Sequence, residues 1–144
     1  MKALSLLQPW ASLVVLGHKR FECRGWRTTH RGPLLIHASA RRPTRREKFY
    51  FETAPHFERF ITDMDHLPYG ALIGQVTLVD IYPTEWLVPQ HMDEFAGMQW
   101  PQELAFDDYS AGRYAWQFEE ARALPAWLPV KGTLGLWEYG GQVD

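Results

Sequence analysis

The hydrophobic and polar residues of this chain follow two periods, one typical of β-strands and one typical of a helix. The apolar run over residues 3–7 predicts a short buried strand. A short helix over residues 9–17 is predicted next, because its apolar positions recur at helical spacing. These positions are Trp10, Leu13, Val14 and Gly17.

Strict alternation over residues 19–26 predicts a second strand with two different faces. Phe21 and Cys23 share one face, and we expect them in the core. The opposite face brings together charged groups and one indole ring, from Arg20, Glu22, Arg24 and Trp26. A further apolar strand is predicted over residues 34–39.

The rest of the chain predicts one more helix and three more strands. Thr44 and Glu47 have the spacing of a capping box, so we expect a helix that begins there and runs towards Ile61 across Pro55. Residues 83–110 are typical of loops with short helices, and the strands are expected at residues 71–82, 113–119 and 131–137. About six strands, with helices inserted after the first and third, indicate an α+β fold on a closed or partly closed barrel.

Length and composition favour one domain. The chain has 144 residues, of which 46% are hydrophobic and 22% charged, and it contains neither a linker nor a repeat, so we expect a single domain over residues 1–144. Its single cysteine excludes an internal disulfide and a cysteine-rich zinc fold. No apolar run is long enough to span a bilayer or to resemble a secretory signal. The expectation is therefore a cytoplasmic protein without a membrane partner.

The charge is unevenly distributed although the net charge is only −2. Residues 1–50 contain eleven basic and two acidic side chains, whereas residues 51–144 contain four basic and fifteen acidic ones. Such asymmetry indicates an anionic partner for the basic half. The alternative is that the two halves pack together and neutralise each other.

Several kinds of chemistry have no motif in this sequence. Glycine-rich phosphate loops and the Gly-x-Ser-x-Gly elbow of serine hydrolases are absent, and none of the six histidines pairs at metal-ligand spacing. We therefore expect no cofactor and no metal site.

Three local clusters remain as candidates. Gln8 and Trp10 follow the first strand, where an amide can read the polar edge of a base and an indole can stack on it; the alternative is that Gln8 caps and Trp10 packs. Lys19 and Glu22, with Arg24 and Trp26, form either a cross-strand salt bridge or a polar pocket with a stacking ring. The third cluster is basic and suits phosphate contacts, or is simply a solvated face: Arg27, Arg31, Arg41, Arg42, Arg45, Arg46 and Lys48.

Taken in order, these segments resemble the ASCH family, whose domains share the PUA-like β-barrel. The resemblance is carried by residues 4–13 (LSLLQPWASL), 17–26 (GHKRFECRGW), 30–39 (HRGPLLIHAS), 72–80 (LIGQVTLVD) and 131–137 (KGTLGLW). It implies a small barrel with a cleft between the first helix and the sheet. It also implies binding of RNA, other nucleic acid or nucleoside-derived ligands in that cleft.

Some members of the family resemble hydrolases, either ribonucleases or amidohydrolases that act on N4-acetylcytidine. Those amidohydrolases carry a lysine, a threonine three residues later and a glutamate further along the chain. Lys19 matches the lysine, Glu22 occupies the threonine position, and Glu94 is the candidate for the distant glutamate. A carboxylate cannot replace a hydroxyl nucleophile, and a Lys–Glu pair holds the lysine protonated, so this mechanism does not transfer intact.

The leading hypothesis is therefore a module that binds RNA or another single strand, with DNA left open. Gln8 and Glu22 would read a base, and Trp10 or Trp26 would stack on it. Lys19, Arg24 and Arg31 would contact phosphates near the cleft. The electrostatic track would be extended by Arg41, Arg42, Arg45, Arg46 and Lys48. The alternative is a small hydrolase with Lys19 and Glu22 as catalytic residues. A third possibility is an adaptor whose acidic second half binds a protein. The oligomeric state stays open.

Overall fold

Six strands form one curled, mixed sheet in the computed structural model, which describes residues 1–143. The strands are β1 (Lys2–Leu6), β2 (Phe21–Arg24), β3 (Gly32–Ala38), β4 (Ala71–Pro83), β5 (Tyr114–Pro129) and β6 (Leu136–Glu138). Within these residues the helices are α1 (Trp10–Val15), α2 (Arg45–Thr53), α3 (Pro89–Met92) and α4 (Trp100–Phe106). Short 3-10 turns lie at Met64–His66 and Thr84–Trp86.

The strand order is β2-β5-β4-β3-β1-β6, with β1 and β3 parallel and the other pairs antiparallel. The long strands β4 and β5 pair with three register shifts, which bend the sheet into a half-barrel. The predicted α+β fold, with helices after the first and third strands, is confirmed. Strands β2 and β6 are the two edges of the half-barrel.

Helix α1 packs inside the curl of the sheet. Its buried Ala11, Val14 and Val15 meet apolar side chains of four strands, including Val76 and Trp116. Phe21 and Cys23 are also buried, as their place in the alternating pattern predicts. This packing fixes the end of α1 against the sheet and thereby positions the segment that leads into β2.

Three predicted boundaries are wrong by more than two residues. Helix α2 ends at Thr53 and does not run towards Ile61, because Ala54 precedes a proline and takes an extended conformation (φ −67°, ψ 143°). Strand β5 continues to Pro129, ten residues beyond the predicted end. The last strand begins at Leu136 and not at residue 131, because Gly135 has a φ of +72°, outside the range of a strand.

Candidate binding cleft

A cleft of about 480 Å³ opens where the two edges of the half-barrel approach each other. One wall comes from the end of β2 and the residues after it, and the opposite wall comes from Leu134 and Gly135 before β6. Helix α1 contributes Trp10 to the lining. The sequence-predicted residues that line this cleft are Trp10, Glu22, Arg24 and Trp26.

Lys19 lies beneath the cleft and not on its surface. Its ammonium group is buried and donates to the carbonyl oxygen of Phe21, to Glu22 Oε1 at 2.9 Å and to Asp107 Oδ2 at 2.6 Å. A lysine has three N–H donors, so all of them are used inside the protein. The two carboxylates line the cleft, and Lys19 holds both in place.

The protonation of Lys19 follows from these contacts. Burial lowers the pKa of Lys19, but the negative charges of Glu22 and Asp107 outweigh burial, and the net direction is upward. The amine is therefore a fixed cation at neutral pH and a poor base.

Helix α4 and the residue after it anchor the start of β2. The Glu103 carboxylate accepts hydrogen bonds from the backbone N–H groups of Arg20 and Phe21 at 3.0–3.1 Å. Asp107 Oδ2 accepts a further bond from the N–H of Cys23 at 2.9 Å. Burial raises the pKa of the Glu103 carboxyl, and it also raises the pKa of the Cys23 thiol, which stays protonated.

Two guanidinium groups stand on the walls of the cleft. Arg24 donates from Nη2 to the carbonyl oxygen of Ser5 at 2.9 Å, while its Nε lies 3.4 Å from Glu22 Oε2 and makes no hydrogen bond among the described residues. Arg113 donates from Nη2 to the carbonyl oxygen of Cys23 at 3.0 Å. Both groups keep donor capacity for a ligand.

The two predicted stacking rings differ in what they offer. Trp26 is 38% exposed, and its ring is backed edge-on by Trp116, with the centroids 5.0 Å apart. Trp10 instead packs edge-on against Phe51 and donates from Nε1 to the carbonyl oxygen of Phe106 at 2.6 Å. Trp26 therefore offers a ring surface to a ligand, whereas Trp10 forms part of the wall.

Gln8 does not line the cleft. Its side-chain amide is buried, donates to Ser12 Oγ and to the carbonyl oxygen of Pro68 at 2.8 Å, and accepts from the backbone N–H of Ser12 at 3.0 Å. The expectation that Gln8 reads a base is therefore corrected, because these contacts occupy the amide inside the turn before α1.

The outer basic residues do not line the cleft, and they fall into two groups. Arg31, Arg41 and Lys48 pair with acidic side chains: Arg31 with Asp80, Arg41 with Glu47, and Lys48 with Glu52, Asp63 and Asp65. Among the described residues, no acidic side chain lies within 4 Å of the basic groups of Arg27, Arg42, Arg45 and Arg46.

Asp107 and Arg113 are the charged cleft residues that sequence analysis missed. Neither belongs to one of the three candidate clusters, and Asp107 is 88 positions from Lys19. Glu94, the candidate for the distant glutamate, is exposed and does not line the cleft. Within residues 1–143 there is no group of three side chains suited to hold a metal ion. No helix in that part of the chain is long and apolar enough to cross a membrane.

Comparison with known proteins gives two kinds of relative. Activating signal cointegrator 1 from Mus musculus and that from Homo sapiens are each 28% identical to this chain over 142 residues. The alignments cover 97% of this chain but only 22% of each relative, so the chain spans about a fifth of their length. The crystal structure of ASCH from Zymomonas mobilis superposes with a TM-score of 0.49 at 17% identity, over 90% of this chain and 72% of that one.

A protein family also matches most of the chain. Residues 4–129 match the ASCH domain. This range includes most of β1, the strands β2 to β5, all four described helices and the cleft residues up to Arg113, but not Leu134 and Gly135 of the opposite wall. Because this match covers more than four-fifths of the residues, the chain belongs to the ASCH domain family.

Proposed function

We propose that this chain binds single-stranded nucleic acid, with RNA as the preferred ligand, by holding one unstacked nucleotide in the cleft. The observation that carries the proposal is the exposed indole of Trp26 beside the guanidinium groups of Arg24 and Arg113, in a space of about 480 Å³. Stacking of a base on an aromatic ring contributes about 1–3 kcal/mol, and arginine suits phosphate oxygens.

Each cleft residue has a distinct role in this proposal. Trp26 stacks on the base, and Arg24 and Arg113 contact phosphate. Glu22 and Asp107 accept hydrogen bonds from base N–H groups, as carboxylates do from the amino group of cytosine. Lys19 acts as a positioning residue, since it holds both carboxylates and has no N–H left for a phosphate. Membership of the ASCH family supports the same function.

Binding to a labelled single-stranded RNA of ten nucleotides, followed by fluorescence anisotropy at low salt, tests the proposal. We expect Trp26→Ala to weaken binding by roughly tenfold, in line with the loss of one stacking contact. Trp127→Ala is the matched control, because Trp127 is 56% exposed but lies outside the cleft. A DNA strand of the same sequence reports whether the 2′-hydroxyl is read. Unchanged binding by Trp26→Ala, or no binding of either strand, would exclude the cleft as the site.

Hydrolysis of RNA or of an acylated nucleoside is the second candidate function. It is favoured by one observation: Glu22 and Asp107 face the cleft while both contact the Lys19 ammonium. Glu22 would act as a general base on water, because the family's hydroxyl is missing at its position. Incubation with RNA and with N4-acetylcytidine tests this role. Turnover lost in Glu22→Gln supports it, and two intact substrates reject it.

A further inference from the structure

We infer that α2 carries a second nucleic-acid contact beside the cleft, so that the ligand is a single strand of several nucleotides and not a nucleoside or a single nucleotide. This inference rests on the proposed function. The surface concerned is the exposed face of α2, made by Arg45, Arg46, Phe49 and Tyr50, with Arg42 just before the helix.

Some basic residues of this segment are paired with carboxylates and others are not. Arg41 pairs with Glu47 at 3.1 Å, and Lys48 is held by three carboxylates at 2.6–3.3 Å. Arg45 and Arg46 are exposed, and among the described residues no carboxylate lies within 4 Å of them. Positive charge is therefore uncompensated on one face of α2 and cancelled on the other.

Two large aromatic side chains lie on the uncompensated face. Phe49 is 70% exposed and Tyr50 is 54% exposed. They follow Arg45 and Arg46 by four residues each, the spacing that places helical side chains next to each other. Two cations one helical turn from two rings offer a single strand contacts for its phosphates and for its bases. An apolar protein partner would leave the arginines without counter-charges, so charge complementarity favours nucleic acid.

The face lies near the cleft, because a short chain of side-chain contacts joins the two. Trp10 on the cleft wall packs edge-on against Phe51, with the centroids 5.1 Å apart, and Phe51 packs in the same way against Tyr50, also at 5.1 Å. On the other side, Ser39 lines the cleft and accepts a hydrogen bond from the N–H of Arg41. Helix α2 and the segment before it therefore contact Trp10 and Ser39 of the cleft lining, which places both surfaces within reach of one strand.

The test compares a labelled RNA dinucleotide with the ten-nucleotide RNA. We expect the double variants Arg45→Gln/Arg46→Gln and Phe49→Ala/Tyr50→Ala each to bind the longer RNA at least tenfold more weakly, and the dinucleotide as tightly as the unchanged protein does. Loss of two phosphate contacts should also lower the slope of log affinity against log salt by about 1.4. Arg41→Gln is the matched control, because Glu47 already neutralises that arginine. Circular dichroism checks that α2 stays helical.

The outcomes separate this inference from the proposed function. Dinucleotide binding with no effect of either α2 variant on the longer RNA overturns the inference and leaves the cleft proposal standing. Binding of neither RNA by the unchanged protein overturns both. If a poly-glutamate peptide depends on Arg45 and Arg46 while the longer RNA does not, the face binds an acidic protein and the inference is wrong.

Discussion

At the scale of single residues, Lys19 organises the site although it does not reach the ligand space. Its ammonium group joins β2, through Glu22, to the residue after α4, Asp107. A buried ion pair adds little stability compared with apolar residues of similar volume in its place. Removal of one partner alone is strongly destabilising, because the remaining charge is buried without a counter-charge. The local arrangement of both cleft carboxylates therefore depends on one amine.

Lys19→Met should lower the free energy of unfolding by about 3–5 kcal/mol, because two carboxylates lose their buried counter-charge. Urea unfolding followed by tryptophan fluorescence at pH 7 measures this. Lys2→Met is the control: Lys2 pairs with Glu138 at 3.3 Å with 39% of its side chain exposed, and such pairs contribute about 0–1 kcal/mol. A loss below about 1 kcal/mol in Lys19→Met would contradict the buried ion-pair network.

The pH dependence of this contribution has a defined sign. In the folded protein the pKa of Lys19 is raised above its ordinary value of 10.5. Lys19 therefore stabilises the folded state fully below pH 10.5, and this stabilisation is lost as the pH rises through the raised pKa. Alkaline unfolding should therefore lose part of its pH dependence in Lys19→Met.

Cleft residues from one strand were accessible to sequence reasoning, and those from distant loops were not. Side chains two positions apart on a strand lie on the same face, so the sequence alone places Glu22, Arg24 and Trp26 together. Asp107 and Arg113 reach the same cleft only because α4 and the start of β5 pack against β2. No local pattern reports a contact across more than 80 residues.

At the scale of elements, the packing of α1 on the sheet depends on the absence of a side chain at Gly74 of β4. A Cβ placed there would lie 2.7 Å from the carbonyl oxygen of Arg122 and would collide with the side chain of Val15. The first obstacle is backbone and cannot rotate away. Gly74 thus lets α1 and β5 approach β4 together.

Gly74→Ala should destabilise the protein by about 1–3 kcal/mol, the usual cost of overpacking a core. The midpoint and slope of urea unfolding give the difference. Gly140→Ala is a matched control, because a Cβ at Gly140 meets no atom within 4 Å and its φ is not in the left-handed range. If both variants unfold at the same urea concentration, the close approach of α1 to β4 is wrong.

Helices and strands with a buried face could be predicted from the sequence, whereas strand segments exposed on both faces could not. The strands β1 to β4 and α1 all carry the apolar periods that sequence reasoning uses. The second half of β5, from Glu120 onwards, is mostly exposed and has no such period. It is a strand because it pairs with β4 through Arg122, Ala123, Leu128 and Pro129, which is a tertiary constraint.

At the scale of the whole molecule, much of the charge asymmetry between the two halves is cancelled. Basic residues of the first fifty pair with acidic residues beyond them, as in Arg20–Glu119 at 2.9 Å, Lys19–Asp107 at 2.6 Å and Lys48–Asp63 at 2.7 Å. The alternative reading, in which the halves neutralise each other, therefore holds for these residues. Among the described residues of the first fifty, Arg27, Arg42, Arg45 and Arg46 have no carboxylate within 4 Å, which narrows where an anion can bind.

The exposed carboxylates make the stability of the molecule sensitive to acid. In the folded protein their pKa values lie below the ordinary 4.5 of glutamate and 3.8 of aspartate. A hydrogen bond from the backbone of Thr44 lowers the pKa of Glu47. A hydrogen bond from the N-terminal ammonium lowers the pKa of Glu138. A carboxylate with a lowered pKa stabilises the folded state fully at a pH above its ordinary pKa. This stabilisation is lost as the pH falls through the pKa of the folded protein. The same direction holds for Glu52, Asp63, Glu85 and Asp108.

We therefore expect the urea midpoint to fall as the pH is lowered from about 5 to about 3. Glu103 opposes this trend, since burial raises its pKa and protonation relieves the cost of an ionised buried carboxyl. The double variant Glu47→Gln/Glu138→Gln should start lower at pH 7 and lose less over the same interval, because two of the titrating groups are gone. Equal losses in the variant and the unchanged protein would show that these carboxylates do not link folding to pH, and that the acid sensitivity arises elsewhere in the chain.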